Sequence, residues 1–362
     1  MASSLTDGVP SALNKHLPGR GVVATQEPLS SSLPAKSTHN DPFAHLPPYT
    51  PRNKGLVSHL PSALVPFAEL MRLHKPAGYY AFYFPHLSGT FIAAILSPAA
   101  PSISSLTYVC AVHAVGNLFL RGAASTWNDT LDAPLDRQVA RCRHRPVARG
   151  AVSPTTAHIF TIAQTAVWIL TLSWLPWECS LPASLFALTM AVYPFCKRVT
   201  NFPQVVLGFS LGFGQIIGMT SLGLNPFSRT SPHVRAALAC VYLSTVVNAM
   251  IYDTIYAHQD LKDDLKAGVM SMAVACTPHT KKVLSVLSVV KIALLASTGY
   301  LLGFGGCFWA VAVGGTVAVL GWMIATVRLE EPADCWKWFK WCIWFTGGTL
   351  CLGLLGEHAM RA

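Results

Sequence analysis

Nine long apolar stretches restrict how this chain can fold more than any other feature. They lie near residues 77–99, 103–124, 155–175, 179–196, 203–223, 234–252, 281–303, 306–327 and 338–356. Each is about long enough to cross a bilayer, because a spanning helix needs roughly 17–25 residues. Only 12% of the residues are charged, whereas a soluble domain has about 25%. The sequence therefore predicts an all-α membrane protein with about nine transmembrane helices around a central cavity.

The first 60 residues differ from the rest of the chain. They are rich in Pro, Ser, Gly and Thr and contain no long apolar run, which predicts a disordered cytosolic tail over 1–60. They have neither the Arg-rich amphipathic pattern of a transit peptide nor the apolar core of a cleaved signal. Residues 61–362 are then the transmembrane domain.

The positive charge follows the predicted topology. The formal net charge is +10, and with nine spans eighteen Lys and Arg residues fall on the N-terminal side of the membrane. The opposite side has only Arg229, Arg235 and Arg361. The positive-inside rule makes the N-terminal side cytosolic. We therefore interpret the charge as a topology signal, expect no nucleic-acid partner, and expect the endoplasmic reticulum or another endomembrane as the location.

Two acidic segments, 128–136 and 253–264, follow apolar stretches on that same side. They hold seven of the 16 acidic residues, and carboxylates beside hydrocarbon are costly unless they have a function. Asn128, Asp132 and Asp136 recur every four residues, so on a helix they would share a face. Pro134 predicts that the helix loosens there.

The second segment has a similar pattern. Asp253 and Asp260 are seven residues apart, almost two helical turns, and Asp264 is one turn further on. Two such faces opposite each other would form a pocket of oxygen ligands, which suits Mg²⁺. We expect the Mg²⁺ ions held in this pocket to bind a diphosphate.

Basic residues accompany both acidic segments. Arg137, Arg141 and Arg145 recur at four-residue spacing, and Lys197-Arg198 closes the fourth stretch. Guanidinium groups match phosphate oxygens in a bidentate way. The alternative is a solvated face in which arginines neutralise the acids and mark topology. The occurrence of both acidic segments on one side, each followed by cations, favours a diphosphate site.

Other polar and small residues have structural interpretations. Gly208-x-x-x-Gly212 and Gly214-x-x-x-Gly218 place small residues as membrane helices do where they pack. His86 and His258 fit hydrogen-bonded structural histidines better than metal ligands. The ten cysteines form no C-x-x-C pair, which indicates neither a disulfide framework nor a zinc site.

Several motifs together resemble the UbiA superfamily of intramembrane aromatic prenyltransferases, over roughly 66–356. They are Asn128-Asp-x-x-Asp132-x-x-x-Asp136, Arg145-Pro146-Val-x-x-Gly150, Tyr193-Pro-Phe-Cys-Lys197-Arg198, Asp253-Thr-Ile-Tyr256-Ala-x-x-Asp260 and Lys262-Asp-Asp264-Leu-Lys-x-Gly268-Val-x-Ser271. The resemblance implies nine helices, a cytosol-facing mouth, and Mg²⁺-dependent transfer of a prenyl group from its diphosphate to an acceptor ring.

The resemblance also implies roles for individual residues. The implied principal ligands of Mg²⁺, directly or through water, are Asn128, Asp132, Asp253 and Asp260, and the implied supporting acids are Asp129, Asp136 and Asp264. The implied diphosphate-binding residues are Arg141, Arg145, Tyr193, Lys197, Arg198 and Lys262. Asp132, Asp260, Arg141 and Lys197 are the implied catalytic set.

The segment 71–80 distinguishes among members of the superfamily. Quinone-pathway members commonly have Arg-Leu-Asp-Lys-Pro, whereas this chain has His74 in place of Asp. Here it resembles fungal meroterpenoid members, which attach a farnesyl or, less often, a geranylgeranyl group to a phenolic acid or pyrone polyketide. One alternative is a 4-hydroxybenzoate polyprenyltransferase of ubiquinone synthesis. A second is a transporter or lipid-binding membrane protein that uses paired acids as cation sites.

Overall fold

A computed structural model describes residues 43, 45–51, 54–226 and 231–361 of the chain. Most of the predicted tail, together with Arg52 and Arg229 of the charge pattern, lies outside these residues. One compact unit spans His45–Ala362. Within it Tyr49 donates a hydrogen bond to the Glu69 carboxylate at 2.9 Å, so part of the segment predicted as a tail contacts the helices.

The described residues form helices and no strand. The helices are α1 (Val65–Leu70), α2 (Ala77–Leu96), α3 (Ile103–Leu131), α4 (Ala133–Asp136), α5 (Pro154–Leu172), α6 (Ser180–Cys196), α7 (Pro203–Thr220), α8 (Pro232–Ala257), α9 (Leu261–Ala267), α10 (Met272–Cys276), α11 (Thr280–Leu301), α12 (Gly315–Thr326, preceded by a π-helical turn, Phe308–Gly314) and α13 (Pro332–Arg361). The nine long ones fall in the nine predicted apolar stretches, which confirms the all-α membrane fold.

Of the nine long helices in the described part of the chain, seven are long and apolar enough to cross a membrane, whereas α2 and α7 are not. Both are interior helices, since α2 packs on α3, α7 and α13 whereas α7 packs on α2, α6 and α8. They face protein more than lipid, so they can carry polar side chains such as Ser88 and Gln215. The count of about nine spans is therefore close, with α2 and α7 as the exceptions by composition.

Glycines on α7 permit its close approach to two neighbours. A side chain at Gly218 would meet the backbone carbonyl of His86 on α2, and one at Gly208 would meet the backbone of Val246 on α8. Only a residue without a Cβ fits such contacts. This confirms the packing interpretation of the glycine repeats.

Both acidic segments lie where a long helix ends. α3 ends at Leu131, Asp132 connects it to α4, and Pro134 lies in the first turn of α4. The helix is thus interrupted beside Pro134, as the sequence predicts. α8 ends at Ala257 in tight turns in which Gln259 N–H bonds to Tyr256 and Asp260 N–H to Ala257. Asp253 and Asp260 therefore do not lie on one continuous helix, because α8 ends between them, yet both line the same cavity.

Candidate active site

A cavity of about 110 Å³ lies at the end of the bundle where α3, α6 and α8 end. Its charged and phenolic lining residues are Asp132, Asp136, Arg141, Arg145, Tyr193, Lys197, Asp253, Tyr256, Asp260 and Asp264. Nine of these ten are predicted site residues, and Tyr256 is the tenth. The turns that end α3 and α8 thus bring both acidic segments to one cavity.

Lys197 connects the first acidic segment to the end of α6. Its Nζ lies 2.5 Å from Asp132 Oδ2 and 3.1 Å from Asn128 Oδ1. The amine also lies 5.3 Å from the centre of the Tyr193 ring, within range of a cation–π contact. Asn128 therefore contacts the site through Lys197.

Arg141 connects the loop after α4 to the second segment. Its Nε and Nη2 donate to the two oxygens of Asp260 at 2.8 and 2.5 Å, the bidentate geometry that suits a guanidinium. Its Nη1 donates to the Tyr256 hydroxyl at 2.9 Å. Asp260 and Tyr256 thus fix the orientation of Arg141 toward the cavity.

Arg145 and Arg72 neutralise the remaining acids of the first segment. Arg145 Nη1 lies 2.9 Å from both oxygens of Asp136 and 3.2 Å from Asp129. Asp129 also accepts a bond from Arg72 at 2.5 Å and is fully buried. Asp129 lies behind the cavity wall, where it holds two arginines in place.

Two predicted diphosphate-binding residues are not brought to this cavity. Arg198 is exposed and donates to the Leu131 carbonyl at 2.7 Å, so it closes the end of α3. Lys262 is exposed on the first turn of α9 and does not line the cavity. Neither side chain lines the active-site cavity, because each points to the surface from its helix end.

Burial changes the acidity of several of these groups. It raises the pKa of Asp264 to about 7, and the nearby Asp260 carboxylate adds to that rise. Burial likewise raises the pKa of Asp136 to about 6, against the opposing effect of Arg145. Burial opposes the charge of Lys197, but Asp132 outweighs it and holds the lysine pKa above its ordinary value. The site concentrates charge where charge is costly.

The donor set fits Mg²⁺ by its chemistry. The cavity offers carboxylate oxygens and no histidine, and Asp132 Oδ1 is buried without a hydrogen-bond partner among the described residues. Oxygen ligands are what Mg²⁺ prefers. Within the described ranges no three acid, His or Cys side chains are grouped so that they could hold a metal ion, and Lys197, Arg141 and Arg145 each pair with a carboxylate.

The site contains residues that the sequence did not assign. Tyr256 stands in a motif quoted above and Arg72 in the segment 71–80, but only the structure shows that they contact Arg141 and Asp129. Beside the site a larger cavity of about 610 Å³ is lined by Arg72, His74 and Lys75, and it shares Arg141 and Arg145 with the smaller one. Burial, and then Arg72, Arg141 and Arg145, lower the pKa of Lys75 to about 7.

The fold and the site define a polytopic membrane protein with a cavity lined by paired carboxylates and cations at one end of a helical bundle. The sequence profile described as the UbiA prenyltransferase family matches residues 82–346. The chain belongs to this family, and it is a prenyltransferase. This enzymatic assignment replaces the transporter alternative.

Similar fungal proteins support the same family. The prenyltransferase stbC of Stachybotrys bisbyi is 38% identical over 82% of this chain and 88% of its own length. The prenyltransferase ascA of Acremonium egyptiacum is 37% identical over 77% and 81%. The mitochondrial 4-hydroxybenzoate polyprenyltransferase of Saccharomyces cerevisiae is 38% identical over 78% and 74%.

Solved structures share the fold. A UbiA homolog from Aeropyrum pernix K1 has a TM-score of 0.62 at 20% identity, covering 76% of this chain and 97% of its own. A UbiA homolog from Archaeoglobus fulgidus bound to GPP and Mg²⁺ has a TM-score of 0.59 at 16% identity, covering 81% and 99%.

Proposed function

We propose that this protein transfers a prenyl group, farnesyl in preference to geranylgeranyl, from its diphosphate to a ring carbon of an aromatic or pyrone polyketide in an Mg²⁺-dependent reaction. One observation carries the proposal: five carboxylates, three cations and two tyrosines face one cavity in a chain that has few charges. Opposed sets of this kind suit a metal–diphosphate complex, since carboxylates hold the metal and cations hold the phosphates.

In this proposal the cations of the ion pairs exchange their carboxylate partners for phosphate oxygens when the substrate binds. Arg141 and Lys197 hold Asp260 and Asp132, and the same cations would bind the phosphate oxygens once those carboxylates hold Mg²⁺. Bound Mg²⁺ would supply positive charge that stabilises the departing pyrophosphate. Tyr256 keeps Arg141 in position through its hydroxyl. The proposed set of metal ligands and supporting acids is completed by Asn128, Asp129, Asp136, Asp253 and Asp264.

The remaining steps need a dry, aromatic chamber. Cleavage of the allylic C–O bond leaves a carbocation, which the faces of Tyr193 and Tyr256 can stabilise. The surrounding bundle excludes water that would otherwise capture it. A nucleophilic ring carbon of the acceptor then forms the new C–C bond, and the ring loses its proton to the released pyrophosphate or to an acid of the second segment.

Named relatives support the choice of donor and acceptor. The DMOA farnesyltransferase nvfB of Aspergillus novofumigatus is 34% identical over 84% of this chain. His74, where quinone-pathway relatives commonly have Asp, also favours a polyketide acceptor. We further propose an endomembrane location with the N-terminus and the mouth of the site on the cytosolic side, which the distribution of Lys and Arg supports.

A second candidate is a 4-hydroxybenzoate polyprenyltransferase, favoured by the identity to the mitochondrial yeast enzyme. The two candidates differ in donor length and acceptor. Membranes containing the chain would be given farnesyl or a long polyprenyl diphosphate, each with 4-hydroxybenzoate or a dihydroxymethylbenzoic acid, and the products identified by mass spectrometry. A farnesylated polyketide-type acid supports the first proposal. Exclusive use of the long donor with 4-hydroxybenzoate would replace it with the second.

A further inference from the structure

A buried lysine lies halfway along α11, away from the ion pairs of the candidate active site. Lys291 is 2% exposed and, at 1.5 Å per residue, lies about 15 Å from either end of its helix. It lines a cavity of about 30 Å³ together with Tyr80, Asn248, Tyr252 and Thr346. We call this space the Lys291 chamber.

Lys291 lacks the partners that a buried ammonium requires. It forms no salt bridge with the acids of the described ranges. Its one hydrogen bond there goes to Ser244 Oγ at 3.5 Å, at the outer limit for such a bond. An ammonium has three N–H donors and is costly to bury without an anion. An ionisable residue at this depth marks a functional site.

A second donor points to the same kind of ligand. Asn248 accepts a hydrogen bond from Thr346 Oγ1 at 3.1 Å through its amide oxygen. Its NH₂ group donates to none of the described residues, so it is available to an acceptor atom in the chamber. A lysine ammonium and an amide NH₂ together suit an anionic oxygen, and a cavity of about 30 Å³ has room for about two water-sized groups, such as the two oxygens of a carboxylate.

The chamber is aligned with the candidate active site along α8. Asn248, Tyr252 and Tyr256 recur every four residues and so share one face of that helix. Tyr256 lines the active-site cavity, whereas Tyr252 and Asn248 line the chamber. Asn248 is about 12 Å from Tyr256 along the helix axis. That distance is comparable to an aromatic acid and the prenyl carbon that it attacks placed end to end between the two sites.

We propose that Lys291 and Asn248 bind the carboxylate of an aromatic acid acceptor, whose ring extends out of the chamber toward Tyr256 and the active-site cavity. This inference rests on the proposed prenyl transfer and adds that the acceptor is an acid, recognised through its anion at mid-membrane depth. A lipid headgroup is a poorer fit, because headgroups lie at the surfaces of the bilayer and the chamber lies at its middle.

Binding measured without turnover tests this proposal. Purified protein would be titrated with a dihydroxymethylbenzoic acid and with its methyl ester. Lys291→Met keeps the length of the side chain and removes its charge. It should weaken binding of the acid by about ten- to hundred-fold, the range for a charge-assisted hydrogen bond, and leave binding of the ester unchanged. Lys291→Arg should restore much of the acid affinity.

Two controls separate this result from other causes. Lys281→Met removes an exposed charge from the same helix and should change neither affinity. Unchanged binding of the acid to Lys291→Met, equal loss of acid and ester, or no acid binding by the wild type would each overturn the proposal. If acid binding depends on Lys291 but no prenylated product forms, the proposed function fails and the anion site stands.

Discussion

At the scale of single residues, the site is organised by ion pairs more than by free carboxylates. Arg141 holds Asp260, and Lys197 holds Asp132. The sequence left open a solvated face on which arginines neutralise the acids. In the structure the cations do pair with the acids, but they do so inside a cavity. Burying such a pair costs desolvation energy, which only good geometry and additional hydrogen bonds repay.

The cations of the cavity should act on the prenyl diphosphate. We expect Arg141→Ala or Lys197→Ala to lower kcat/KM for the diphosphate roughly ten- to hundred-fold, since a charge-assisted contact contributes about 1.5–3 kcal/mol. Arg141→Lys should restore only part of the activity, because an ammonium lacks the planar fork. Steady-state kinetics with each substrate varied would measure this.

Lys262→Ala is the matched control for that series, since it removes an exposed charge outside the cavity. It should leave both substrates almost unaffected. If Arg141→Ala instead raised the acceptor KM and spared use of the diphosphate, the two substrates would be assigned to the wrong ends of the cavity.

Lys75 should make stability depend on pH. Burial and neighbouring arginines lower its pKa to about 7 from 10.5, so the folded state loses this proton at lower pH than the unfolded state does. Stability should therefore rise with pH between about 7 and 10.5, where only the unfolded chain holds the proton. Lys75→Met should melt higher than the wild type at pH 6, and the difference should shrink toward pH 10. An equal difference in melting temperature between Lys75→Met and the wild type at every pH would contradict this.

At the scale of helices, the ends matter more than the spans. The turns after Leu131 and Ala257 bring Asp132 and Asp260 to one cavity, and the close contact of α2 with α7 lets interior helices carry polar side chains. The break at Pro134 could be predicted, because proline has no N–H and restricts its neighbour. The end of α8 carries no Pro or Gly, so the position at which this helix ends could not be predicted from the sequence.

The contact between α2 and α7 predicts an asymmetry between glycines. Gly218→Ala would place a methyl group against the His86 carbonyl and force the two helices apart. Overpacking of this kind costs about 1–3 kcal/mol. Gly321→Ala on α12 meets nothing within 4 Å and should be neutral or slightly stabilising, because alanine favours helix. Melting temperatures in detergent that fall equally for both variants would be inconsistent with this contact.

At the scale of the whole molecule, the fold follows from the apolar stretches and the site follows from where they end. The sequence was sufficient to predict the helices and to select nine of the ten charged and phenolic residues around the cavity. It was insufficient for the partners of each charge. Which cation meets which acid depends on contacts between residues such as Arg141 and Asp260, 119 positions apart, and the isolation of Lys291 is visible only when all of its neighbours are placed.

The distribution of positive charge predicts the orientation in the membrane. In a variant without its ten native cysteines, Ala151→Cys lies in the loop that follows the arginines and should react with an impermeant thiol reagent from the cytosolic side. Ala359→Cys near the end of α13 should react only from the lumenal side. Asn128, although in a glycosylation sequon, should stay unglycosylated. Lumenal labelling at residue 151 would reverse the assignment.

The central claim is that two helix-end acidic segments act together, with Mg²⁺, on a prenyl diphosphate. The most direct measurement is transfer of labelled farnesyl diphosphate to an aromatic acid in membranes containing the wild type, Asp132→Ala or Asp260→Ala. We predict product from the wild type, none after EDTA, recovery on adding Mg²⁺, and none from either variant although each remains in the membrane. Full activity after EDTA treatment, or in either alanine variant, would contradict the account.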